Sequence, residues 1–314
     1  MTDDRRPPFT VIPGGGRPPA PADASAPAPA EPAPVAPGAT LPDSAGAPLV
    51  MEERIDPWRV ASLHDSLGRE GPAPEPGDPL PPLWHFLFFP EVRKPDGLGV
   101  DGHPRPGGFL PDTGLPRRMR AGGRMEFLSP LPIGAEARRV SAIQNVAIKQ
   151  GGSGSLAIVT VRHEISGPDG LAMREEEDLV YRAAPGPSDK PRGPAPAKDE
   201  TPGFSRAFTA DPVLLFRYSA LTFNGHRIHY DLPYATQEEG YPERVVHGPL
   251  MAQLLADLLR DETGRWPARF DYRAVSPIFC GQTFRLCGRT FGDQAELWVL
   301  NPDGRLALEA KAKL

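Results

Sequence analysis

The chain has 314 residues, a formal net charge of −5, and 42 Pro with 33 Gly. The Gly follow no Gly-X-Y period, which excludes collagen. No apolar run is long enough to predict a membrane-spanning helix, and the acidic balance argues against a nucleic-acid binder. Two cysteines, Cys280 and Cys287, cannot make a disulfide framework, and they predict reduced thiols in a cytoplasmic protein.

The Pro are unevenly spread. Residues 1–50 hold 13 of the 42. This stretch of Pro, Ala and Gly has few large apolar residues, which predicts a disordered tail. It lacks the basic start and apolar stretch of a secretory signal. A second Pro-rich stretch, 184–202, predicts a linker between two folded units, 51–183 and 203–314.

In the first unit, Glu53 to Leu67 reads as a helix. An aromatic run, Leu83 to Phe89, and a Gly/Pro-rich loop, Asp96 to Pro116, follow. Four strands are then expected at Gly123–Phe127, Ala137–Lys149, Ser155–Ser166 and Leu171–Tyr181. Turn signals separate them at Gly151-Gly152 and Pro168-Asp169-Gly170. The second unit repeats the order. Asp211 and Pro212 open a helix through Tyr218. A short helical stretch at Arg227–Ala235 is interrupted by Pro233. Gly248-Pro249 opens a stronger helix. Its residues Leu250, Met251, Leu254, Leu255, Leu258 and Leu259 form one broad apolar stripe. Strands are expected at Arg269–Val275, Thr283–Arg289, Ala295–Leu300 and Leu306–Lys313.

A short internal repeat supports a duplication. Ser129-Pro130 to Gly134 matches Ser276-Pro277 to Gly281 as Ser-Pro-x-x-x-Gly, at an offset of 276 − 129 = 147 residues. Helices followed by an antiparallel meander indicate an α+β unit, with a helix covering one face of the sheet.

The segment from Arg217 to Asp231 is short, polar and aromatic and lies between two helices. It carries His226 and His229, with His247 further on. A histidine poised near neutrality suits proton transfer. The plainer alternative is that each satisfies a local hydrogen bond. A metal site at His226, His229 and Asp231 is a further alternative, although the spacing is not that of a helical zinc motif. No Gly-x-Ser-x-Gly marks a serine nucleophile. Cys280 and Cys287 read as buried thiols on strands. Gly151-Gly152-Ser153-Gly154 reads as a hairpin turn, because it lacks the Gly-Lys-Ser/Thr ending of a phosphate loop.

The run Tyr218 to Asp231, followed by Val245-Val246-His247-Gly248-Pro249-Leu250, resembles the MaoC-like acyl-thioester hydratases and dehydratases. The branch most similar contains the mesaconyl-C4-CoA (3-methylfumaryl-CoA) hydratases and the hydroxyacyl-thioester dehydratases of type 2. Leu98-Gly99-Val100-Asp101-Gly102-His103-Pro104, Gly107 to Pro111 and Leu115 to Met119 extend the resemblance into the first unit. It covers about residues 52–314.

The resemblance implies a double hotdog, in which each antiparallel sheet wraps a central helix. The second unit would be catalytic and the first would shape the acyl pocket. The family's catalytic His falls at His229, and its catalytic Asp falls at Asn224, which cannot take a proton. The helix-start Gly that offers its amide to the thioester falls at Gly248. In hydration, His229 would activate water and return a proton to Cα, and Asn224 would hold the water. The Gly248 amide, at a helix N-terminus, would meet the developing enolate charge. The substrate would be an α,β-unsaturated acyl-CoA, with mesaconyl-C4-CoA going to citramalyl-CoA. Arg117 and Arg118, in a loop, would meet a substrate carboxylate or CoA phosphate, and His226 would orient the loop or contact substrate.

The resemblance calls for no metal and no redox cofactor. Its alternatives are a fatty-type 3-hydroxyacyl-thioester dehydratase, a hotdog thioesterase and a non-catalytic acyl-thioester-binding module. The expected partners are an acyl-CoA and, at most, a second copy of the chain as a homodimer, with no nucleic acid and no membrane.

Overall fold

The computed structural model describes residues 47–151, 154–183, 195–198 and 200–314. The expected tail therefore lies outside the described residues up to position 46. So do positions 184–194 and 199 of the expected linker, and Gly152 and Ser153 of the first hairpin turn. The last tail residues, Leu49 and Val50, begin a strand, β1 (Leu49–Arg54).

Helix α1 (Pro57–Ser66) follows β1. It starts four residues later than the apolar pattern suggests. Pro57 disfavours helical geometry in the residue before it, and the Asp56 carboxylate accepts the Trp58 N–H at 2.9 Å. A 3₁₀ turn covers Trp84–Leu87. Four long strands complete this half: β2 (Arg117–Phe127), β3 (Glu136–Gly151), β4 (Gly154–Gly167) and β5 (Gly170–Arg182). Strand β2 is longer than expected, so Arg117 and Arg118 stand on a strand rather than in a loop.

The second half opens with β6 (Phe204–Thr209), which the sequence pattern did not flag. Helix α2 (Pro212–Leu221) is capped as expected, with Asp211 accepting the Leu214 N–H at 2.7 Å. The expected short helix at 227–235 is instead a 3₁₀ turn, Arg227–His229, and a π turn, Tyr234–Glu238. Helix α3 (Gly248–Thr263) ends at Gly264 in the left-handed region, φ 70°. Strands β7 (Arg269–Ala274), β8 (Thr283–Phe291), β9 (Gln294–Leu300) and β10 (Leu306–Lys313) follow. Cys287 is buried in β8, but Cys280 is half-buried at a turn and not on a strand.

All ten strands form one antiparallel sheet in the order β1-β3-β4-β5-β2-β7-β10-β9-β8-β6. The order is a palindrome of two equivalent sets. At the central seam β2 pairs with β7, and Arg124 stands opposite Asp271. These residues are 271 − 124 = 147 positions apart, the offset of the Ser-Pro-x-x-x-Gly repeat. The seam is thus the pseudo-twofold axis of a duplication.

Helix α3 packs against β6 to β10, and its residues from Leu250 to Leu259 are all buried. The first half has no long helix among the described residues at the matching place. The 3₁₀ turn stands there, with Leu83, Trp84, Leu87, Phe88 and Phe89 in the core. The inner side of its sheet also holds a buried ionic group. Arg120 reaches Glu175 and Glu177, Glu175 meets His85, and Glu177 meets His163. Burial raises the Glu175 and Glu177 carboxyls most strongly, but Arg120 together with His85 and His163 outweighs it and holds both low, Glu177 at about 2.

Candidate active site

The loop after α2 builds the first part of the site. Phe223 turns the chain in the left-handed region, φ 51°, and the Asn224 N–H reaches back to the Ser219 carbonyl at 2.8 Å. That geometry is uncommon for a side chain of this size. The Asn224 side-chain oxygen then accepts the His226 N–H at 3.0 Å. One acceptor position of the amide is therefore engaged in shaping the loop.

His229 is buried at 8% exposure. Its Nδ1 lies 2.7 Å from the Val245 carbonyl. A carbonyl only accepts, so Nδ1 carries the hydrogen and Nε2 keeps its lone pair. The carbonyl is held in place because Val245 N–H donates to Ile228 O at 2.9 Å and Val246 N–H donates to Ile278 O at 2.8 Å. Burial pushes the His229 pKa down to about 4, against a smaller opposing effect of the Val245 carbonyl. No carboxylate among the described residues contacts this ring.

His247 sits at the cap position of α3 and is fully buried. Its ring stacks on His229 with centroids 3.7 Å apart, and its Nε2 lies 2.9 Å from Ser219 Oγ. Burial holds its pKa well below the ordinary imidazole value. His247 gives α3 no side-chain cap, so the first-turn amides point out of the helix without a side-chain acceptor. At Gly248 a Cβ would meet nothing within 4 Å. No atom of the described residues demands glycine there; the space above the helix start is open.

The structure adds a component that sequence reasoning did not assign. Asp101 and His103 come from the Gly/Pro-rich loop of the first half. The His103 Nδ1 donates to Asp101 Oδ2 at 2.9 Å, and the His103 backbone N–H donates to Asp101 Oδ1 at 3.0 Å. The His103 and His226 ring centroids are 4.2 Å apart, and those of His226 and His229 are 5.4 Å apart. Four of the seven histidines thus form one row, His103–His226–His229–His247. Burial depresses the His226 pKa strongly.

Glycines make this approach possible. Gly102, at φ +87°, lies so close to Gly225 that a Cβ would fall 2.0 Å from the Gly225 carbonyl oxygen. The Arg227 N–H also donates to the Asp101 carbonyl at 2.9 Å. The signal was present in the sequence as Asp-Gly-His in one loop and Asn-Gly-His in the other, but spacing alone does not show that the two loops cross.

The set His226, His229 and Asp231 is not assembled as a metal site. Asp231 instead accepts from Arg227 Nε at 2.9 Å and Nη2 at 2.7 Å. Asp101, His103 and His226 do bring one donor atom each within 4.8 Å of one another. Both Asp101 oxygens, however, already accept hydrogen bonds from His103.

A cavity of about 750 Å³ opens beside this cluster, lined by Asp101, His103, Arg117, Arg118, Tyr181 and Arg227 among others. Arg117 is engaged, since its Nη2 meets the Glu239 carboxylate and the Glu239 carbonyl. Arg118 forms no salt bridge among the described residues and lies beside Tyr181. Asn224, His226, His229 and Gly248 do not line the cavity; His103 stands between it and the other imidazoles.

Residues 83–280 match the family Hydroxyacyl-thioester dehydratase type 2. The chain belongs to this family. It is 48% identical over 244 residues to the mesaconyl-C(4)-CoA hydratase of Chloroflexus aurantiacus, covering 77% of this chain and 86% of that protein. It is 28% identical over 250 residues to the mitochondrial hydroxyacyl-thioester dehydratase type 2 of Schizosaccharomyces pombe, covering 70% and 80%. Among solved structures it resembles HtdX of Mycobacterium tuberculosis, with a TM-score of 0.61 at 17% identity over 84% of this chain and 99% of that one. A second M. tuberculosis protein, with a double hotdog fold, gives a TM-score of 0.53 at 13% identity over 86% and 96%. These structural likenesses fix the fold as a double hotdog. The relatives at family level are hydratases and dehydratases, and this chain is a hydro-lyase of the same kind.

Proposed function

We propose that this enzyme adds water to the double bond of mesaconyl-C4-CoA to give citramalyl-CoA. The likeness to the C. aurantiacus hydratase supports the substrate. The observation that carries the chemistry is His229, whose Nδ1–H is fixed on the Val245 carbonyl beside the open start of α3.

His229 Nε2 takes a proton from water as the oxygen bonds to Cβ. The π pair moves through Cα to the thioester oxygen. That enolate oxygen meets the Gly248 N–H, where the helix dipole favours negative charge. Asn224 orients the water with the amide capacity its hydrogen bond to His226 leaves free. The enolate then takes that proton back from His229 at Cα, which restores the neutral imidazole. No metal or redox cofactor belongs to this proposal.

Arg118 is the better anchor for a distal substrate carboxylate, because Arg117 is already held by Glu239. A guanidinium can grip a carboxylate through two hydrogen bonds. CoA phosphates are the other anions that could reach it.

The test is kcat/KM for mesaconyl-C4-CoA and crotonyl-CoA in wild type and Arg118→Met. Wild type should prefer mesaconyl-C4-CoA, and Arg118→Met should lose that preference by tenfold or more. A wild type that prefers crotonyl-CoA removes the dicarboxylate assignment. Equal losses on both thioesters would assign Arg118 to CoA phosphate. A cytoplasmic location and a homodimer complete the proposal, and light scattering on the purified protein checks the second.

A further inference from the structure

Among the described residues His229 has no carboxylate to stabilise it once protonated, and Asn224 cannot accept a proton. The Asp101–His103 pair is the one carboxylate-supported imidazole in the row of four rings. We propose that this pair, carried by the first half, is the proton-holding partner of His229, working across His226. The inference rests on the hydratase reading above.

The geometry supports it in three ways. Nδ1–H of His103 points to an ionised carboxylate, which leaves Nε2 with a lone pair and prepares the ring to become an imidazolium. The loop crossing at Gly102 and Gly225 brings this ring against His226. His103 also lines the cavity that Arg118 borders, so the pair joins that cavity to the buried imidazoles. Asp101 and Arg118 face His103 from its own loop and from β2, Glu177 from β5, and His226 from the opposite loop.

The step balances without a further reactant. One O–H bond of water breaks as its oxygen bonds to Cβ, and the proton goes to His229 Nε2. His229 passes a proton through His226, directly or by way of a water, to His103 Nε2. Asp101 stabilises the imidazolium there. The proton returns by the same path and forms the Cα–H bond with the electron pair of the enolate. His103 is a positioning and relay residue in this scheme, since it acts through the other rings.

Asp101→Asn is the sharpest variant. The Asn oxygen can still accept the His103 backbone N–H and keep the turn. Its NH₂ would then face Nδ1 and force the hydrogen onto Nε2, the wrong tautomer for accepting a proton. His103→Gln removes the proton-holding group outright.

With crotonyl-CoA and mesaconyl-C4-CoA as substrates, both variants should lose kcat by tenfold or more, with KM changed by less than about twofold. Burial lowers the proton affinity of His103, and the Asp101 carboxylate offsets part of that loss. Its removal should therefore also move the acid limb of the kcat profile to lower pH. An NMR titration of the wild-type imidazoles gives a readout independent of how the variants fold, and His103 should titrate at higher pH than His226 and His229. The relay is overturned by the reverse order of titration, by full kcat in both variants, or by losses confined to KM. A wild type that hydrates neither thioester removes the hydratase reading and the relay with it. An active wild type with fully active variants removes the relay alone.

Discussion

The two halves of the sheet have the same strand order in mirror image, but they fill their inner faces differently. The second half wraps α3, whose residues from Leu250 to Leu259 are all buried. The first half sets a 3₁₀ turn, an aromatic run and the Arg120–Glu175–Glu177 group in the matching place. A helix with a full apolar stripe makes a stable core but leaves little room. No long helix among the described residues occupies that place in the first half, and there residues from 99–106 and 115–118 line a cavity while His103 reaches the other half's histidines. The second half carries His229 and Gly248, while the first half supplies most of the cavity lining and brings His103 to the row of imidazoles.

This division is tested hardest at His229. His229→Ala should lower kcat by about 10²–10⁴-fold, the usual contribution of a positioned acid–base group. Circular dichroism should still report the folded sheet, with a thermal midpoint lowered only by the lost Val245 hydrogen bond and the lost stacking on His247. Turnover within tenfold of wild type would move the chemistry away from the second half.

The buried ionic group comes next. Glu175→Gln removes a carboxylate that Arg120 and His85 both contact at under 5% exposure. Breaking a buried pair by deleting one partner typically costs about 3–5 kcal/mol, because the remaining charge stays desolvated. Denaturant unfolding should register that loss. A change under 1 kcal/mol would mean that Glu177 alone compensates Arg120. For the second half the comparable test is Leu255→Ala in α3, where Leu255 is fully buried. It should cost about 2–5 kcal/mol through lost burial and a residual cavity. The two variants together ask whether one half is held by charge and the other by apolar packing.

Much of this contrast was legible in the sequence. The stripe from Leu250 to Leu259, the Asp211-Pro212 cap and the meander strands depend on local patterning, and the offset of 147 residues reappears at the seam between Arg124 and Asp271. Strands β1 and β6 were not legible, because each has six residues that face solvent at every second position or more. Such short edge strands owe their conformation to pairing with β3 and β8 rather than to their own pattern. At the site, His229 and Asn224 could be placed through the family motif, while Asp101 and His103 could not be tied to them. Their meeting depends on a long-range crossing of two glycine loops, which no local spacing encodes.

The smallest predicted effect concerns acid, and it again divides the halves. Asp257, on the buried face of α3, lies 3.0 Å from Arg69 and accepts from the Trp84 indole at 3.3 Å. Asp261 and Arg260 also act on it. Burial outweighs Arg69 and raises its pKa to about 6. A carboxyl whose folded pKa is raised binds protons more tightly in the folded state. Its unfavourable effect is present above pH 6 and disappears as the pH falls from about 6 to about 4. Glu177 behaves oppositely. Its folded pKa of about 2 gives stability that is present above the unfolded value and is lost as the pH falls from about 4 to about 2. The stability of Asp257→Asn relative to wild type should therefore rise with pH between 4 and 7, by up to about 3 kcal/mol for a shift of about two units. The constant loss of the Arg69 contact leaves this slope unchanged. Urea unfolding of both proteins at pH 4, 5, 6 and 7 measures it. Parallel stability curves would show that Arg69 keeps Asp257 ionised throughout, and that α3 carries no titrating group in this range.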